Sequence, residues 1–148
     1  MMIYVDADAC PVKDLIYRAA ARYQLPVTVV ANGGLTVPPG VTLARVGAAP
    51  DAADDWIAER VTAGDLVLTA DIPLAARALA ADAHCLDFRG GEFTADHIGD
   101  ALASRELHRY LRDLGDVAGL RGPAPLTPRD RARFASKLDA TLHRLARA

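Results

Sequence analysis

The chain is poor in cysteine, and it has no long apolar run. Its 148 residues include two cysteines, Cys10 and Cys85, too few for the disulfide framework of a small secreted domain and without a CxxC pair. No apolar stretch approaches the ~20 residues a membrane helix requires. The first apolar run is short and ends in acid, unlike a signal peptide. The expectation from these absences is a soluble, cytoplasmic protein with no membrane partner. The four histidines, His84, His97, His108 and His143, lack the mutual spacing of a zinc site. A glycine-rich phosphate loop and a dinucleotide fingerprint are both missing, as are internal repeats and low-complexity tracts. Lysine is represented only by Lys13 and Lys137, so arginine supplies the rest of the 17 basic side chains, a skew that a GC-rich genome explains as well as any function.

A chain of this length makes one domain, and one large enough to bury a full core without staples. Its formal net charge is −2, but the charge is unevenly spread. Residues 1–99 hold 7 basic and 13 acidic side chains, whereas residues 100–148 hold 10 basic and 6 acidic. An acidic body beside a basic C-terminal segment suits a polyanionic substrate. Arg-rich helices that are merely solvated give the same pattern.

The most informative feature is a repeated one. Residues 3–8, Ile-Tyr-Val-Asp-Ala-Asp, run apolar and β-branched into Asp6 and Asp8, then meet Pro11 and a helical pattern. Residues 65–71, Asp-Leu-Val-Leu-Thr-Ala-Asp, run apolar into Asp71, then meet Pro73 and a second helical pattern. Each reads as a buried parallel strand with a carboxylate at its tip, and in open α/β sheets ligands gather at such tips. Two carboxylates ~4 Å apart repel by about 4 kcal/mol at an effective dielectric near 20, so a cluster must share a proton or bind a cation. Mg²⁺ or Mn²⁺, hard and oxygen-seeking, is the expected cofactor.

Periodicity supplies the rest. Pro11 is placed at the first position of a helix reaching about Gln24, with Val12, Leu15, Ile16, Ala19 and Tyr23 on its inner face. Strands follow at 27–31 and 41–46, separated by a loop with Asn32-Gly33-Gly34 and Pro38-Pro39-Gly40. Pro50 and Asp51 open a second helix carrying Trp56, Ile57 and Val61 and stopping at Gly64. A helix over 73–82, a short strand over 84–87 and the turn Arg89-Gly90-Gly91 come next. Thr94 is a candidate cap for a helix through Leu102, followed by a further helical stretch with Leu107, Tyr110, Leu111 and Leu114 along one face. Residues 119–128 read as a loop or arm, and Thr127-Pro-Arg-Asp130 as a loose capping box before a last helix that buries Phe134, Leu138, Leu142 and Leu145. The alternation predicts an α/β fold, a three-layer α/β/α domain over residues 1–148 with a mainly parallel sheet. Residues 104–148 form its helical, Arg-rich C-terminal extension.

Other carboxylates join the candidates. Asp51, Asp54 and Asp55 open the second helix just after a strand, where the helix dipole alone would favour them and where the topology also puts them at the ligand edge. Cys10 precedes a helix, which can activate a thiol, although small buried cysteines are commoner. Asn32-Gly33-Gly34 and Arg89-Gly90-Gly91 can offer backbone N–H groups and a guanidinium to phosphate, or serve as plain turns.

Several of these stretches together resemble a known family. Ile-Tyr-Val-Asp-Ala-Asp-Ala-Cys-Pro at 3–11, Val-Ala-Asn at 30–32, Asp51-Ala-Ala-Asp54, the run from Gly64 to Ala75, Arg89-Gly90, Gly122-Pro123 and Asp130-Arg131 are similar to the YaiI/YqxD family of uncharacterised bacterial proteins. That family is usually grouped with PIN-like domains, metal-dependent ribonucleases with an acidic site on a parallel sheet. The resemblance implies that Asp6 is the acid closing the first strand, Asp51 or Asp54 the helix-borne acid and Asp71 the later strand-end acid. Asp8 is an addition peculiar to the family.

The leading expectation is therefore a Mg²⁺- or Mn²⁺-dependent phosphodiesterase acting on RNA or single-stranded nucleic acid. Asp6, Asp54 and Asp71 would hold metal, Asp8 or Asp51 would bind a second ion or orient the attacking water, and Lys13, Arg18, Asn32 and Arg89 would contact substrate. Two rivals share the residues. In a haloacid-dehalogenase-like phosphatase, Asp6 of the DxD would be the nucleophile and Asp8 the acid/base, although Cys10 stands where Thr or Val is usual and a downstream Lys motif is lacking. In a non-catalytic RNA-binding protein the carboxylates would hold a structural ion and the basic C-terminal helices the RNA.

Overall fold

β1 (Ile3–Asp6), β2 (Val27–Ala31), β3 (Val41–Arg45), β4 (Leu66–Leu68) and β5 (His84–Leu86) are parallel, and β6 (Glu92–Phe93) returns antiparallel to β5. The sheet order is β3-β2-β1-β4-β5-β6 in the computed structural model, which describes residues 1–113 and 125–147. This is the α/β architecture expected, with β6 as an element that periodicity did not signal because two residues carry no period.

Side-chain alternation along each strand sorts the core into two layers. Ile3 and Val5 of β1 align with Val27 and Val29 of β2 and with Leu66 and Leu68 of β4. They pack with Val12, Ile16 and Ala20 on the side of α1 (Lys13–Tyr23), and with Phe134, Leu138 and Leu142 of α5 (Pro128–Ala146). The opposite parity, Tyr4, Val30 and Val67, packs with Ile57 of α2 (Ala52–Arg60) and with Leu74, Ala75 and Ala78 of α3 (Ile72–Ala80). α4 (Ile98–Asp113) lies on α3 in that second layer.

The C-terminal helix is integral to the domain. Phe134, Leu138 and Leu142 are all fully buried, and at ~25 cal/mol per Å² such side chains contribute roughly 1.5–3 kcal/mol each. Its start is fixed by a full capping box, in which Thr127 Oγ1 accepts from Asp130 N and Asp130 Oδ2 accepts from Thr127 N. Gly90 closes the same contact from the sheet side. It sits at φ +89, and a Cβ there would stand 2.8 Å from Arg133 Cγ of α5.

Some boundaries differ from the periodic reading. Pro11 precedes the helix, which starts at Lys13 after Val12, because a turn closed by Cys10 N donating to Ala7 O intervenes. α2 begins at Ala52 and ends at Arg60, short of Gly64. The two helical stretches expected after Thr94 form a single helix, and the buried Thr94 hydroxyl has no partner among the described residues while its carbonyl accepts from Ile98 N. Most of the loop expected over 119–128, with Leu114, lies outside the described residues. The apolar stripe of α4 is uncovered among the described residues, Leu107 being 56% and Tyr110 60% exposed.

Candidate functional site

The order of the sheet decides where a site can form. β1 and β4 are neighbours from which the chain departs in opposite directions, towards β2 on one side and β5 on the other, and the strand tips open into a crevice at such a switch point. Asp6 ends β1 with the parity of Tyr4 and so faces the layer of α2 and α3. Asp71 follows β4 and caps α3, its Oδ1 accepting from Leu74 N at 2.8 Å. α2 brings Asp54 to the same place from its first turn. Asp6, Asp54 and Asp71 line one cleft of about 280 Å³, together with Asp8, Asn32 and the loop 46–50.

Thr69 ties two of the acids together. Its fully buried hydroxyl donates to Asp6 Oδ2 at 2.9 Å and accepts from Asp71 N at 3.0 Å. With Asp71 Oδ1 on Leu74 N as well, one oxygen of each carboxylate is committed to the fold. Both residues line the cleft.

Crowding of like charge leaves a signature. Asp54 is pushed up to about 7, chiefly by partial burial and then by the charges of Asp71, Asp6 and Asp51, with a hydrogen bond to Asp71 adding to the rise. Asp6 is also raised, by burial above all and by Asp71 and Asp8, while the Thr69 hydroxyl opposes the shift. A carboxyl titrating near neutrality beside other carboxyl groups can hold a proton, pass one on, or release it to a cation. Among the described residues no three His, Cys, Asp or Glu side chains form a ready-made cation cage. The donor set is nevertheless all-carboxylate, which fits a hard divalent ion.

A family model described as "Uncharacterized BCR, YaiI/YqxD family" matches residues 4–144. The chain belongs to the YaiI/YqxD family. It is 52% identical over 147 residues to a UPF0178 protein of Rhodopseudomonas palustris (strain TIE-1), covering 98% of this chain and 92% of that one. A UPF0178 protein of Bradyrhizobium diazoefficiens is likewise 52% identical over 98% of this chain and 87% of its own. For one from Nitrobacter winogradskyi the values are 50%, 99% and 93%. No solved structure matches.

In this YaiI/YqxD chain the remaining candidates divide. Asp8 accepts from Asn32 N, at 3.1 Å to Oδ2, so this N–H of the Asn32-Gly33-Gly34 turn is engaged within the protein. Asp51 is the N-cap residue of α2 but makes no side-chain cap, and lines a small hollow with Asp55, Pro73 and Arg77 beside the cleft. Asp55, one residue from Asp54, is turned away to Arg77 at 2.7 Å. Lys13 Nζ donates to Cys10 O at 2.9 Å, near the β1 tip. Arg18 stands apart: it lines a hollow with Gln24, Val27 and Val41, at the starts of β2 and β3, and the carboxylates lie at the other ends of the strands. Arg89 pairs with Asp130 at 2.7 Å, and the Arg89 and Gly91 N–H groups both donate to Asp87 Oδ1 at 2.8 Å, so the turn binds its own carboxylate. Cys10 is buried and its thiol pushed up to about 11 by that burial, the opposite of an activated nucleophile. The reading of the sequence missed Thr69, whose signal was a lone hydroxyl inside an apolar run two residues before Asp71.

No helix among the described residues is long and apolar enough to cross a membrane.

Proposed function

We propose that this protein is a Mg²⁺- or Mn²⁺-dependent phosphodiesterase acting on RNA or single-stranded nucleic acid, akin in its acidic sheet edge to PIN-like ribonucleases. One observation carries the reading: Asp6, Asp54 and Asp71, from three separate elements, line one cleft at the switch point, and burial, then the charges of the others, push the Asp54 carboxyl up to about 7. A cluster that crowded costs stability unless something positive sits in it.

Asp6, Asp54 and Asp71 would hold the divalent ion, which when bound supplies positive charge against the phosphate and Lewis acidity. The chain's own residues do the rest. Thr69 fixes the Asp6 carboxylate through Oδ2, and Asp71 is fixed through Oδ1 by Leu74 N. Asp54, sharing a hydrogen bond with Asp71, is placed to accept a proton from an attacking water or return one to the leaving oxygen. Asp8, lining the same cleft, extends the negative wall and would orient that water or hold a second ion.

The phosphatase reading rests on Asp6 and Asp8, and Lys13 donates one of its three N–H groups to Cys10 O. A thermal-shift titration with Mn²⁺, run beside cleavage of a single-stranded RNA, tests the proposal. The intact protein should gain several degrees and cut RNA only with the ion, and Asp6→Asn should lose both. An equal thermal shift in Asp6→Asn would place the ion elsewhere. A trapped phosphoryl group on Asp6 would decide for the phosphatase. RNA binding without cleavage by either form would decide for the binding protein.

A further inference from the structure

Along the same sheet edge, on the β5 side of the carboxylate cleft, lies a second hollow of about 530 Å³. Its walls are apolar, with Ile72, Phe88, Phe93 and Leu126, and its polar groups include Asp87 and Arg89. The two clefts adjoin: Ala9 lines both, and Ala70 at the wall of the larger is the neighbour of Asp71. Flat apolar walls with a small polar group are what a heterocyclic base requires, since its faces are π surfaces and its edge carries hydrogen-bonding groups.

We propose that this hollow is the nucleobase subsite of the protein, taking the base attached to the sugar-phosphate that occupies the carboxylate cleft; the inference rests on the nucleic-acid reading above. The polarity of the hollow gives it a preference. Asp87, which lines the hollow, has its Oδ1 on the N–H groups of Arg89 and Gly91, whereas Oδ2, packed beside Gly91, makes no hydrogen bond to the described residues. A carboxylate oxygen is an acceptor only. It therefore selects a base that presents an exocyclic amine over one that presents a carbonyl at the same place, so cytosine is preferred to uracil. Arg89, held by Asp130, keeps the site from being uniformly negative and suits the approach of a phosphate to this edge.

The test uses the full chain and two nucleosides, cytidine and uridine, which differ in an amine against a carbonyl and carry no phosphate. Calorimetric titration should show saturable binding of both, with cytidine tighter by about tenfold, roughly one hydrogen bond to a charged acceptor. Phe93→Ala should weaken both by about tenfold through loss of a stacking face. Asp87→Asn, which can keep Oδ1 on the turn while replacing the second acceptor by a donor, should reverse the preference to uridine. Melting curves of both variants show whether each is folded. Absence of nucleoside binding to the folded wild-type chain overturns the proposal, as does binding that Phe93→Ala and Asp87→Asn leave unaltered. Those results are separable from the fate of the phosphodiesterase reading, which stands or falls on Mn²⁺ and Asp6: RNA cleavage with no nucleoside binding would keep the reaction and remove the subsite.

Discussion

Replacing Asp54 by asparagine should make the metal-free protein more stable at neutral pH, although it removes a candidate catalytic group. The Asp54 carboxyl titrates at about 7 in the fold, and an unfolded aspartate near 3.9. The sign follows from proton linkage. Below about pH 4 both states are protonated and the site costs nothing; as pH rises to 7 the unfolded chain releases its proton while the folded chain retains it, so stability falls across that window. At ~1.4 kcal/mol per pH unit the loss would approach about 4 kcal/mol in a dry site. Asp54 lines an open cleft, where solvent screening reduces this to about 1–2 kcal/mol. Asparagine keeps the size and the neutral hydrogen bond to Asp71 without the charge. For a domain of ~150 residues the gain is a melting temperature higher by about 3–6 °C. Calorimetric scans of both proteins in chelator at pH 7.5 and 4.5 should show that gap at the higher pH and its closure at the lower. A gap of the same size at both pH values, or a wild type more stable at pH 7.5, would refute the electrostatic account of the cleft.

The fold was legible because its signals are long-range and repetitive. Two apolar runs that each end in acid, proline and a helix define two βα units, and a capping box at Thr127 marks the last helix with the detail the structure shows. Asp6 and Asp71 were legible for the same reason, since a strand tip has a fixed position in a parallel sheet. The helix-borne acid was not. Consecutive residues on a helix differ by about 100°, so Asp54 enters the cleft while Asp55 reaches Arg77, and spacing cannot tell which until α2 is seated on the sheet. The turns failed differently: their glycines show where the chain bends, but the carboxylates of Asp8 and Asp87, distant or adjacent in sequence, claim the N–H groups that a phosphate would need. Arg18 was misjudged because a helix antiparallel to its strand carries its later residues away from the ligand edge. Leu107 and Tyr110 show the limit of periodicity itself, which detects an apolar stripe but not whether anything covers it.

Thr69→Val, which keeps the shape, leaves the Asp6 oxygen and the Asp71 N–H without their shared partner and should cost about 1–3 kcal/mol, whereas Thr69→Ser should restore both hydrogen bonds and most of the stability in urea titrations. Phe134→Ala, at a fully buried site of α5, should cost about 3–5 kcal/mol, and a loss below 1 kcal/mol by chemical denaturation would show that α5 is dispensable to the core. The last expectation concerns the charge of α4, where Arg105, Arg109 and Arg112 recur at three- to four-residue spacing and share one helical face; of these side chains, that of Arg112 lies outside the described residues. Arg105 pairs with its neighbour Glu106 at 3.2 Å, a half-exposed contact of little strength that a phosphate can displace. If single-stranded RNA lies along this face, its affinity falls with salt, and each phosphate contact removed flattens the logarithmic slope by about 0.7. Replacing all three arginines by glutamine should therefore reduce the slope by about 2 in filter-binding titrations while leaving any Mn²⁺ shift unchanged, because the carboxylate cleft takes no residue from α4. An unchanged slope would make the stripe ordinary solvated surface, and the substrate would then be held by the sheet edge alone.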